Sequence, residues 1–108
     1  MEARLFVLQR VSAIVLAPLV VCHLGVILYA VRGGLTADEI LARTQGSVAW
    51  TLFYGVFVLA VSLHAPIGVR NVLKEWTPWC GRSLDAAMLI LAASLMGMGL
   101  RAVWAVAT

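Results

Sequence analysis

Three long stretches without a charged side chain limit what this chain can become. Val11 to Val31 holds 21 such residues, Thr44 to Val69 holds 26, and Ala86 to Leu100 holds 15 before Arg101, with Ala102 to Thr108 continuing apolar. A helix crosses the hydrocarbon of a bilayer in roughly 20 residues, and in lipid every backbone polar group must be satisfied within the structure. The runs predict three transmembrane helices, near residues 8–31, 47–73 and 84–106, in one domain spanning residues 1–108. Strands do not suit, because the runs are too long and do not alternate. Composition agrees: 63% of the residues are apolar and 12% charged, against about half and about a quarter in a soluble domain. A chain this small has too little interior to hide that much apolar surface. The expected fold class is an all-α integral membrane protein, too short to carry a nucleotide-binding domain of its own. The first run exceeds a signal-peptide core of roughly 7–15 residues and is expected to stay as a span.

The flanking charges orient the bundle. Arg4, Arg10, Arg70, Lys74 and Arg82 fall on the side of the N-terminus and the second loop, and Arg32, Arg43 and Arg101 on the other. Five against three places the N-terminus in the cytoplasm by the positive-inside rule. The net charge of +3 is therefore read as topology, with no nucleic-acid partner. Gly33 and Gly34 end the first helix, since glycine takes the left-handed cap conformation. Thr36-Ala37-Asp38-Glu39 is a capping box opening a short amphipathic helix in the outer loop, to about Arg43. Trp76 and Trp79, around Pro78, suit the headgroup level or a docking surface for a soluble partner. Ala93, Gly97 and Arg101 recur every four residues, which packing inside the bundle explains, with Arg101 snorkelling to the interface. Cys22 and Cys80 sit at different levels, lack metal-ligand spacing and are not expected to pair.

Ionisable residues within a span are costly and mark function. The only two histidines, His23 and His64, both lie in spans. Each is either a buried metal-free imidazole bonded to carbonyls or hydroxyls, or an axial ligand of haem iron. At 1.5 Å per residue His64 lies roughly 9 Å from Arg70, and His23 roughly 20 Å from Arg10 on the same side. That mismatch of about 10 Å argues against one shared iron, so a bis-histidine haem needs a second chain. His64 has Ala60 and Gly68 one turn away on its own face, leaving room for a flat macrocycle, and Pro66 removes a backbone donor nearby. His23 has Leu19 and Ile27 at those positions, a more crowded face.

The segment His64-Ala65-Pro66-Ile67-Gly68-Val69-Arg70-Asn71 resembles the second-span motif of the succinate dehydrogenase cytochrome b subunit: His, three residues, Gly, Ile or Val, Arg, His. Gln9-Arg10-Val11-Ser12-Ala13 resembles the same family's His-Arg-x-Ser-Gly start of span one. The resemblance covers most of the chain, although only these two short motifs are specific. It implies that His64 is the axial ligand of haem b and that Arg70 lies near the propionates. The opposite ligand would come from a second membrane anchor subunit or a second copy of this chain. Arg10 and Ser12 would belong to the quinone-binding pocket. The role implied is a bacterial inner-membrane anchor of the flavoprotein and iron–sulphur subunits, passing electrons to or from quinone and inactive alone. Such a complex oxidises succinate within the tricarboxylic acid cycle or reduces fumarate. Gln9, Ala13 and Asn71 depart from the motif's His, Gly and His, and Phe6 stands where a serine is often found.

Arg10-x-Ser12 with His23 eleven residues later also resembles di-haem anchors, in which His23 would hold a second haem farther from the soluble subunits. A cofactor-free membrane assembly or transport subunit is the other reading that three helices allow.

Overall fold

A computed structural model describes residues 2–108, with the backbone alone at residue 2. Its four helices are α1 (Glu2–Gly33), α2 (Ala37–Thr44), α3 (Val48–Trp76) and α4 (Arg82–Ala107). Three of them are long and apolar enough to cross a bilayer, and no strand occurs among the described residues. The bundle measures 47 × 22 × 22 Å, the length expected of helices of 26–32 residues at 1.5 Å per residue. α1 and α4 begin before their charge-free runs, and α3 continues past its run to Trp76, because Arg and Lys stems carry on the helix while their charges reach water.

α3 occupies the middle, packed against α1 on one side and α4 on the other. Its neighbours need each other little, so the buried residues concentrate along α3: Ala60, Ser62, Pro66, Ile67 and Arg70. Leu84 of α4 is fully enclosed. Elsewhere large apolar side chains such as Phe6, Val21, Leu89 and Trp104 stand exposed, as lipid-facing positions do.

Gly99 of α4 packs directly against α3. A Cβ there would stand 2.5 Å from a methyl of Val58, so only glycine fits. Ala93 and Gly97, expected to pack inside the bundle, instead face outward, and a Cβ added at Gly97 would meet nothing within 4 Å. The rotation of α4 that turns Leu84, Leu91 and Gly99 inward leaves the Ala93–Gly97 stripe on the outside.

The turn after α1 follows the expected chemistry. Gly34 has φ +125°, and a side chain there would collide with the Glu39 carboxylate. The capping box is complete: Glu39 N–H donates to Thr36 Oγ1 at 3.2 Å, and Thr36 N–H donates to the Glu39 carboxylate at 3.1 Å. α2 then rests on the end of α4, where Thr44 Oγ1 donates to Val106 O at 2.7 Å and Gly46 N–H to Ala107 O at 2.9 Å. These bonds use carbonyls that the last turn of a helix leaves without internal partners. Arg43 completes the corner, donating to Gly34 O at 3.3 Å and lying 5.5 Å from the centre of the Tyr29 ring.

Candidate functional site

His64 faces α1, about midway along the seam between α1 and α3. Its Nδ1 lies 3.3 Å from the hydroxyl of Ser12, and Ser12 is buried, with 5% of its surface exposed. The same hydroxyl donates to Gln9 O one turn earlier, at 3.0 Å. His64 itself is half-buried, and Nε2 has no hydrogen-bond partner among the described residues. Gly68, one turn further along α3, faces the Gln9 side-chain amide, which a Cβ there would meet at 3.4 Å, an ordinary contact. The face beside Gly68 is thus covered by α1 itself.

Asn71 follows two turns from His64 on the same side of α3, since seven residues nearly complete two turns. It joins Leu5, Phe6, Gln9 and the exposed Arg10 around a recess of about 310 Å³ at the end of the bundle that carries the α3–α4 loop. Ser12 is not part of that recess. Arg10 and Ser12, adjacent in the motif, point to different surroundings because they lie roughly 200° apart around α1.

Arg70 turns the other way. It sits roughly 120° around α3 from His64, is 8% exposed, and its Nε donates to Asp85 Oδ1 at 2.8 Å. This ion pair ties α3 to the first turn of α4, where the N-terminal end of the helix dipole favours a carboxylate. Sequence reasoning missed Asp85. An Asp opening one span and an Arg closing the preceding span, joined by a short loop, is the signal that could have found it. Beside the pair, Leu5, Ser62, Pro66 and Met88 line an apolar hollow of about 230 Å³. The Ser62 hydroxyl, 1% exposed, has no hydrogen-bond partner among the described residues.

His23 occupies the half of the bundle nearer α2. Its ring meets the edges of Tyr54 and Phe57, with centroids 5.9 and 5.2 Å apart. Nδ1 is buried without a hydrogen-bond partner among the described residues. The ring lines an open recess of about 270 Å³ together with Ile40 and Thr44 of α2 and Gly99 and Val103 of α4. Tyr54 and Phe57 lie seven to ten residues from His64, roughly 10–15 Å along α3. The two imidazoles therefore stand at separate levels, and no metal can bridge them. Nor do any three His, Cys, Asp or Glu side chains gather as a metal site among the described residues. Cys22 and Cys80 are unpaired and exposed.

The family model of the succinate dehydrogenase/fumarate reductase transmembrane subunit matches residues 1–100. The chain belongs to this family. No curated protein and no solved structure matches it significantly. A transmembrane subunit of succinate dehydrogenase/fumarate reductase is a multi-pass anchor within an electron-transport complex, and three long apolar helices with little interior suit that task. In this subunit the exposed apolar faces of α1 and α4 have surroundings to meet, lipid and neighbouring subunits, that a solitary protein would lack.

Proposed function

We propose that the chain is the haem b-binding, quinone-reactive anchor of a succinate:quinone oxidoreductase, with His64 as the axial ligand. One observation carries the reading: an imidazole at mid-seam whose Nδ1 is held by Ser12 and whose Nε2 has no protein partner among the described residues. A metal-ligating histidine commonly has its second ring nitrogen hydrogen-bonded in this way. The donor chemistry thus fits haem iron at Nε2. When bound, haem supplies one-electron storage whose potential the surrounding protein sets. His64 would hold the haem iron from this chain, and a second anchor subunit or a second copy of this chain would supply the other protein ligand.

Arg10 is our choice for quinone recognition. Its guanidinium stands exposed at the recess it shares with Gln9 and Asn71, where it can donate to a quinone carbonyl as negative charge develops there. Ser12 is turned into the seam instead and does not accompany it. A propionate contact by Arg70 would have to be made alongside its bond to Asp85, on a face of α3 turned from His64; Arg10 and Asn71 lie on the better side. With the N-terminus in the cytoplasm of a bacterium, this end would face the flavoprotein and iron–sulphur subunits. Trp76 and Trp79 would then lie at their docking level.

A second reading gives His23 a haem of its own, and its unpartnered Nδ1 is the observation that favours it. What favours a single iron site at His64 is the bond that engages its Nδ1, which His23 has no counterpart for among the described residues. Difference spectra and haem content of the purified complex test both readings. Absence of b-type absorption would remove haem from the account, and two haems per chain would promote His23.

A further inference from the structure

We propose that Ser12 is a positioning residue for His64, fixing the tautomer and orientation that present Nε2 to a metal. The proposal rests on the reading of His64 as an iron ligand and concerns the proton on the far side of the ring. A serine hydroxyl has one hydrogen and two acceptor lone pairs. At 3.0 Å from Gln9 O the hydroxyl must donate, because a carbonyl oxygen can only accept. Its single hydrogen is then committed. The 3.3 Å contact with Nδ1 is a hydrogen bond only if the ring donates.

A neutral imidazole has one N–H. With that hydrogen on Nδ1, Nε2 carries a bare lone pair, the form that binds iron. The reverse tautomer would turn the hydroxyl from Gln9 O, which keeps its helical bond from Ala13 N–H, to Nδ1 at 3.3 Å. The shorter 3.0 Å contact to Gln9 O favours the Nδ1–H form.

The relay runs from Nδ1–H to Ser12 Oγ–H to Gln9 O, each step polarising the next. A neutral acceptor at this place avoids the cost of a carboxylate within the span. Gln9, one turn before Ser12, also lies against α3 beside Gly68, on the side of α1 from which the bond is made.

Two measurements test the assignment on the Ser12→Ala and Ser12→Thr variants. In the haem-free full-length chain in micelles, ¹⁵N-histidine NMR should find His64 protonated at Nδ1 in the wild type and in Ser12→Thr. In Ser12→Ala it should find the two tautomers mixed. In the purified complex, the haem of Ser12→Ala should have a midpoint potential shifted positive and displaced low-spin EPR lines, because the ligand loses basicity with its acceptor. Ser12→Thr should restore both. Wild-type His64 protonated at Nε2 would overturn the proposal, as would a Ser12→Ala haem with unchanged potential and EPR spectrum. Should Ser12→Ala lose its haem, the NMR comparison decides alone. A wild-type complex without b-type haem would instead defeat the iron-ligand reading, while NMR would still judge the Ser12–His64 bond.

Discussion

The two histidines sit in similar helices, in similar apolar sequence, and in opposite circumstances. His64 lies on a polar thread through the α1–α3 seam, with one ring nitrogen engaged by Ser12 and the other left without a protein partner among the described residues. His23 lies among Tyr54 and Phe57, with its Nδ1 buried and without a hydrogen-bond partner among the described residues. Burial is therefore similar for the two rings, and what differs is the hydrogen bonding: one nitrogen of His64 is engaged by Ser12, whereas Nδ1 of His23 has no partner among the described residues.

The strongest way to break this contrast is to remove each ring. His64→Ala should abolish b-type absorption in the purified complex, and His23→Ala should leave haem per complex unchanged. A halved haem content in His23→Ala would make both rings ligands and erase the difference. Next in size is Arg10→Ala, which should lower quinone reductase activity on the order of a hundredfold without altering the haem spectrum. Full quinone activity would move the pocket elsewhere.

Smaller effects separate bracing from chemistry. Gly99→Val drives a methyl into Val58 and should destabilise the fold by about 1–3 kcal/mol, read from denaturation in micelles. It acts on the half of the bundle that holds His23. Asp85→Asn removes the charge from the acceptor of the Arg70 Nε bond in the other half and should cost about 1–2 kcal/mol. The haem potential should stay fixed; a shift would show that Arg70 reaches the haem after all. Thr36→Ala removes the cap of α2, and a loss of about 1 kcal/mol is expected with no spectral change.

The spans, the capping box and the separate levels of the histidines were all legible in the sequence, because each follows from local rules. Charge-free run length sets a span, and Thr36 and Glu39 are three residues apart. Rise per residue along a single helix sets depth. What was not legible depends on how each helix is turned about its axis. The motif pairs Arg10 with Ser12, yet one faces the recess and the other the seam. The sequence does not show that α4 brings Asp85 beside Arg70. The small-residue stripe stands out at Ala93 and Gly97, while the glycine that touches α3 is Gly99, two residues on. A strongly apolar helix leaves its orientation weakly written, because nearly every face can tolerate lipid.

The scarcity of enclosed side chains has its own consequence. With so little interior, the folded chain draws much of its persistence from what surrounds it, and a structure stabilised by its neighbours is only as abundant as they are. Copies made in excess of the other subunits should therefore be short-lived, which would keep unassembled anchors from accumulating in the bilayer.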